Sequence, residues 1–216
     1  MDFVDKNIEK YVEALSDNES PLLKEISEYT FRNIHQPRML SGHLQGRILS
    51  FISQIKKPKN ILEIGTYTGY SALCLAEGLS SDGKLITIDK DKSLYSIVDD
   101  FFSRSKYANQ IDQKIGEALN LIPEIKLKFD LVFIDADKKN YKNYFNQVYD
   151  MLNVGGVIIV DNVLWNGKVT DPDKNHNDKI TVYMNEFNEY IKNNKKVSKL
   201  ILPVRDGLTI IIKNEN

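Results

Sequence analysis

Two stretches hold the residues best suited to chemistry, Phe133-Ile134-Asp135-Ala136-Asp137-Lys138 and Ile159-Val160-Asp161-Asn162. Each closes a short apolar run, so each sets its acids where a buried strand should stop. If the two strands are neighbours in a parallel sheet, their ends lie about 4.8 Å apart and Asp135, Asp161 and Asn162 converge. Two carboxylates and an amide oxygen make a hard, all-oxygen donor set that suits Mg²⁺ and leaves room for water and substrate. One Asp at a strand end is ordinarily a helix N-cap; three donors at matched ends favour the metal. Lys138 has two readings. It is a solvated surface lysine, the usual fate of Lys, or, beside an activated hydroxyl, a general base with a depressed pKa.

A second constellation begins at Glu63-Ile64-Gly65-Thr66-Tyr67-Thr68-Gly69-Tyr70-Ser71. Gly65 and Gly69 permit a tight turn and close backbone approach, and the following helix starts with free N–H groups. Alone, two glycines describe a plain strand-to-helix turn. Asp89 ends the next apolar run about 20 residues on, where an acid accepts hydrogen bonds from a ribose diol. The dinucleotide pattern G-x-G-x-x-G is broken by Tyr67 at its second glycine, so a pyrophosphate cannot approach the backbone closely. That disfavours NAD and FAD and favours a nucleoside without pyrophosphate, S-adenosylmethionine being the obvious candidate.

The elements that must position these residues follow from hydrophobic spacing. The first 55 residues read as helical: Ile8, Tyr11, Val12 and Leu15 share one face, Ser20-Pro21 opens a second helix, and Leu44, Ile48, Leu49 and Ile52 mark a third. From residue 60, apolar runs (61–64, 85–88, 111–115, 131–134 and 157–160) alternate with helical stretches such as 72–79 and 141–152. This alternation implies βαβ units and a mostly parallel sheet, apolar on both faces. Residues 166–178, polar and containing Gly167 and Pro172, read as a surface loop. A helix through Tyr183, Phe187, Tyr190 and Ile191 follows, and then two strands around 200–202 and 208–212, joined closely enough to form an antiparallel edge hairpin. The expected organisation is one domain, with a helical segment 1–55 packed on residues 56–216.

Composition excludes several classes. The chain has 216 residues, 42% hydrophobic and 27% charged, with a net charge of -1. It is neither disordered nor a general polyanion binder. Cys74 lies in the apolar run 71–76 and reads as an inert buried thiol. No apolar stretch approaches a membrane span and the first residues do not form a signal peptide, so the expected location is the cytoplasm, with no membrane partner.

Three segments together resemble the cation-dependent O-methyltransferases, which include the caffeoyl-CoA and catechol O-methyltransferases and small bacterial relatives. They are Ile61 to Ser71, Asp135-Ala136-Asp137-Lys138-Lys139-Asn140-Tyr141, and Asp161-Asn162-Val163-Leu164-Trp165-Asn166-Gly167. The likeness runs from about Met39 to Ile212, through Gly155-Gly156-Val157 and Asp206-Gly207-Leu208. It implies an α/β class I S-adenosylmethionine-dependent methyltransferase (Rossmann-like) fold, with a mostly parallel seven-stranded sheet, an antiparallel edge hairpin and N-terminal helices. By the same resemblance, Glu63, Gly65 and Ser71 hold the methionine part of S-adenosylmethionine, Asp89 the ribose, and Glu117 and Ala118 the adenine. Met39 and Ser41 sit near the sulfonium and the metal, and Asp135 borders the cofactor. Asp135, Asp161 and Asn162 match the metal ligands, Lys138 the catalytic lysine, and Trp165 an aromatic wall of the acceptor pocket, though an ordinary core Trp is an equal reading.

Two departures lie at the acceptor end. Leu200 stands near the place where catechol O-methyltransferase has an acid, and Arg205 precedes Asp206 where many caffeoyl-CoA relatives have Gly. The expected reaction is Mg²⁺-dependent methyl transfer to a vicinal-dihydroxy small molecule of catechol or caffeoyl type. Lys138 takes the proton or steadies the oxyanion, and residues 166–178 with Arg205 select the acceptor. The alternative is a tRNA 5-hydroxyuridine O-methyltransferase of the same family, with Lys56, Lys57, Lys59 and the lysines at 192, 195, 196 and 199 as a basic rim. A nicotinamide oxidoreductase is disfavoured by Tyr67, and a non-catalytic module by the complete ligand set. An uncovered apolar face on the N-terminal helices would suit a homodimer.

Overall fold

The apolar runs become strands β1 (Asn60–Ile64), β2 (Lys84–Asp89), β3 (Ile111–Ile115), β4 (Phe129–Ile134), β5 (Leu152–Asp161), β6 (Val197–Leu202) and β7 (Leu208–Lys213). The helices are α1 (Lys6–Leu15), α2 (Pro21–Asn33), α3 (Gly42–Lys56), α4 (Tyr70–Ala76), α5 (Tyr95–Ser103), α6 (Ala118–Leu121), α7 (Tyr141–Met151) and α8 (Lys179–Asn193). This computed structural model describes residues 4–171 and 173–215; Pro172, assigned from sequence to the 166–178 loop, lies outside them.

The seven strands form one sheet in the order β3-β2-β1-β4-β5-β7-β6. Strands β1 to β5 are parallel, while β7 runs antiparallel to both β5 and β6. The expected sheet and its edge hairpin are therefore present. Alternate residues of the central strands feed two cores. Leu62, Ile86, Val132 and Ile158 face one side and pack with Tyr144 and Phe145 of α7 and Phe187 of α8. Ile61, Leu85, Leu131 and Ile159 face the other, against Leu23 of α2, Leu49 of α3 and Phe101 of α5. Each strand is covered on both sides, which is why its sequence reads as a continuous apolar run.

Three expectations shift. β3 (Ile-Asp-Gln-Lys-Ile) is half-buried throughout rather than apolar on both faces, because it is an edge strand with a solvent-facing margin. β5 begins at Leu152, straight after α7, so it extends well beyond the 157–160 apolar run, to ten residues. In the 166–178 segment, a 3-10 turn spans Trp165–Thr170 and breaks where Asn166 and Gly167 take positive φ. On the N-terminal helices, α2 buries Leu23 and Ile26 and α3 buries Leu49, whereas Ile8, Tyr11 and Leu15 of α1, Phe31 of α2, and Phe51 and Ile55 of α3 remain exposed.

The topology sets the site. β1 and β4 are neighbours, and the chain leaves β1 toward β2 and β3 on one side and continues from β4 to β5 on the other. The crevice beyond the carboxyl ends of strands at such a reversal is where open α/β sheets bind ligands.

Candidate active site

A cavity of about 900 Å³ opens at that crevice. Its walls include Met39, Ser41, Gly65, Ser71, Asp89, Glu117 and Ala118, together with Asp135, Lys138, Asp161, Asn162, Trp165 and Arg205. Every site residue expected from the sequence lines it except Glu63. Glu63 points to the face covered by α3 and α4, where it is fully buried and its Oε2 accepts a hydrogen bond from Thr87 Oγ1 at 2.5 Å. Burial pushes its carboxyl up to about 8, against hydrogen bonds from Ser71 and Thr87 that pull it down. Ser71 is on the wall and Glu63 is behind it.

At the β1 end, the turn is possible only with glycine. Gly65 has φ +102, and a Cβ there would fall 1.9 Å from the carbonyl oxygen of Asp135. The β1 and β4 ends are that close. Asp89 then organises the turn from the β2 end. Its Oδ2 accepts from Thr66 N at 2.9 Å and Tyr67 N at 2.8 Å, and its Oδ1 from Asp91 N at 2.9 Å. A carboxylate offers about four acceptor positions, so three are committed to backbone and about one remains for a ligand. Beyond it, Gly116, with its N–H on Asp89 O, delivers Glu117 and the first turn of α6 to the same wall.

At the β4 and β5 ends, oxygens converge on Lys138. Its Nζ donates to Asp135 Oδ1 at 2.8 Å, Asn162 Oδ1 at 2.6 Å and Tyr141 Oη at 2.6 Å. The lysine is not depressed. Burial pulls its pKa down, but the neighbouring Tyr141 and Asp135 outweigh that and hold it above the ordinary lysine value. A lowered pKa was the expectation beside a metal-bound hydroxyl; with Tyr141 and Asp135 as its neighbours the shift is upward. Asp161 is buried; its Oδ1 accepts from Asn162 N at 2.6 Å and its Oδ2 from Gln45 Nε2 at 2.7 Å. Burial and the nearby Asp135 charge raise its pKa. Asn162, at φ +61, turns the chain so that its amide reaches the cluster.

This oxygen set fits a hard divalent cation, and it already gathers around a positive charge, the Lys138 ammonium. Among the described residues no group of three His, Cys, Asp or Glu could hold a metal; the third donor in this set is an amide.

The model of the family described as O-methyltransferase matches residues 13–214. The chain belongs to that family. Caffeoyl-CoA O-methyltransferase 1 of Arabidopsis thaliana is 34% identical over 198 residues, covering 87% of this chain and 76% of the plant protein. Among solved structures, the O-methyltransferase TomG of Streptomyces achromogenes in complex with SAM is 28% identical. It superposes with a TM-score of 0.89 over 97% of this chain and 96% of its own. The SAH-bound Podospora anserina methyltransferase PaMTH1 also gives 0.89 at 28% identity, over 97% and 94% of the two chains. The sheet is thus that of the S-adenosylmethionine-dependent methyltransferases, as the sequence motifs imply, and this family member is an O-methyltransferase.

Membership gives the neighbours of the motif residues their interest. Gln45 and Tyr141, absent from the sequence-based set, each touch Asp161: Gln45 at its carboxylate, Tyr141 Oη at its carbonyl at 3.1 Å. Tyr141 follows the acidic motif directly, so its nearness was legible. Gln45 lies 116 residues from Asp161 in sequence and carries no local signal. Trp165, read either as an acceptor-pocket wall or as a core Trp, lines the cavity and packs against the β-sheet core, with Nε1 directed at Asp178 at 3.4 Å. Leu200 is exposed on β6 and does not line the cavity.

Proposed function

We propose that the protein transfers a methyl group from S-adenosylmethionine to one hydroxyl of a vicinal-dihydroxy aromatic small molecule, using a divalent cation held by Asp135, Asp161 and Asn162. The observation that carries this is the pairing, in one cavity, of a nucleoside-sized end (Gly65, Ser71, Asp89, Glu117) with an oxygen cluster around Lys138. The SAM- and SAH-bound relatives support the donor; the caffeoyl-CoA O-methyltransferases support the acceptor class.

The roles of the chain's own residues follow from the geometry. The turn between Gly65 and Gly69 brings bare backbone beside the donor, with Ser71 at the start of α4 offering a hydroxyl to its methionine end. The free acceptor position of Asp89 takes a ribose hydroxyl, and Glu117 and Ala118 border the base. A cation bound by Asp135, Asp161 and Asn162 supplies Lewis acidity that favours the ionised form of a phenol. Gln45 and the Asn162 N–H hold the Asp161 carboxylate in one orientation. Lys138, giving up one of its three contacts with Asp135, Asn162 and Tyr141, donates to the acceptor oxygen and stabilises its negative charge. That oxygen bonds to the methyl carbon as the methyl–sulfur bond breaks and S-adenosylhomocysteine leaves. Because a single displacement is involved, positioning and fixed charge supply most of the rate. Vicinal oxygens are required for two-point attachment. Methylation of a catechol and a caffeoyl ester, with the monophenols left unreacted when products are read by mass spectrometry, is the expected result. Equal methylation of monophenols contradicts it.

A further inference from the structure

The turn between β6 and β7 (203–207) fastens two separate walls of the cavity through adjacent residues. Arg205 donates from Nη1 to Leu40 O at 2.6 Å and from Nη2 to Arg38 O at 3.3 Å. Asp206 accepts from Asn166 N at 2.5 Å through Oδ1 and from Leu164 N at 2.9 Å through its carbonyl. The first wall carries Met39 and the second Trp165, and both side chains line the cavity.

The Met39 wall is held at one end by Leu40, which is buried in the core. Between α2 and α3 it has one 3-10 turn, Pro37–Met39, without a side-chain cap, and among the described residues Tyr67 Oη also donates to Gln36 O at 2.9 Å. The backbone of Arg205 is at φ +50, where a side chain is strained and glycine is at ease. An arginine there indicates that its contacts offset the strain. Gly42 makes the reach possible: a Cβ on it would stand 3.2 Å from Arg205 Nη1.

We propose that Arg205 is a positioning residue that sets the width of the acceptor mouth. It acts on the acceptor through the Met39 wall and not by touching it, and so determines which acceptors fit. This rests on the function proposed above, so one arm of the test is independent of that function. Arg205→Gly removes both hydrogen bonds and relieves the positive-φ strain, so it should fold. Arg205→Lys keeps the charge and can make one of the two bonds.

In native-state trypsin digestion, cleavage after Arg38 reports opening of this wall, since cleavage tracks the open population when reclosing is fast. Arg205→Gly should raise that rate about tenfold, the loss expected for a charge-assisted hydrogen bond, with Arg205→Lys in between. In methyl transfer, the ratio of KM values for a simple catechol and a bulky caffeoyl ester should shift about as much.

An unchanged Arg38 cleavage rate overturns the tie. Faster cleavage with an unchanged KM ratio makes Arg205 purely structural and overturns the selectivity. A changed KM ratio with unchanged cleavage means direct contact and also overturns it. If wild type methylates neither acceptor, the proposed function fails and this selectivity fails with it, while the cleavage rate still decides whether Arg205 holds the wall.

Discussion

Asp89, Glu63 and Asp161 each show a carboxylate whose surroundings decide its role. Asp89 spends three acceptor positions on Thr66, Tyr67 and Asp91 N–H groups, so it builds the turn in addition to the ribose contact proposed for it. Asp89→Ala should therefore weaken S-adenosylhomocysteine binding by roughly 1.5–3 kcal/mol and also lower Tm. Calorimetry showing unchanged affinity would remove Asp89 from the donor site. Glu63 has its folded pKa raised from 4.5 to about 8 by burial. The folded state holds its proton more tightly than the unfolded state does, so this contribution favours folding below 4.5 and is lost as pH rises from 4.5 toward 8. Urea midpoints across that range should fall less steeply in Glu63→Gln than in wild type; parallel slopes would show that Glu63 titrates normally. Asp161 is proposed to serve the cation rather than packing. Asp161→Asn keeps the volume, so Tm should stay within a few degrees, while methyl transfer drops by roughly 100-fold or more, since several kcal/mol of charge stabilisation depend on it. Near-normal turnover would place the cation elsewhere.

Among the elements, the β1–α4 turn is the least tolerant. Gly65→Ala meets the Asp135 carbonyl at 1.9 Å with φ at +102. It should cost on the order of 3 kcal/mol or more in urea unfolding; a loss below 1 kcal/mol would mean that the β1 and β4 ends can part. Most of this architecture was legible beforehand. The central strands are covered on both faces, so Ile61 to Ile64 and Leu131 to Ile134 announce themselves, and a strand end followed by Asp or Gly marks the crevice. The edge strand β3 was placed at its true bounds, 111–115, but its burial was not legible, because Asp112 and Lys114 sit at a half-wet margin, where local pattern is weak. The site was legible where a motif carries it and opaque where distant elements meet. Gln45 reaches Asp161 from α3, and Arg205 reaches Leu40 across 165 residues. No periodicity encodes such contacts. The charged state of Lys138 was likewise unreadable, because it depends on three oxygens brought from β4, α7 and β5.

For the whole molecule, we propose that residues 1–55 and 56–216 unfold as one unit, since Leu23 and Leu49 share a core with the strands. Calorimetry should show a single transition. S-adenosylhomocysteine at 100 times its dissociation constant should add about 2.7 kcal/mol, roughly 5–10 °C at this chain size. Two separated transitions would divide the chain at α3. No helix among the described residues is long and apolar enough to cross a membrane. The central claim is that methyl transfer depends on a cation at Asp135, Asp161 and Asn162. The most direct measurement is the initial rate of catechol methylation by wild type at saturating S-adenosylmethionine, after EDTA treatment and then on restoring Mg²⁺, with S-adenosylhomocysteine affinity measured in parallel. The account predicts that EDTA abolishes the rate, that Mg²⁺ restores it in wild type but not in Asp161→Asn, and that S-adenosylhomocysteine affinity is little changed. A full rate in excess EDTA would contradict it.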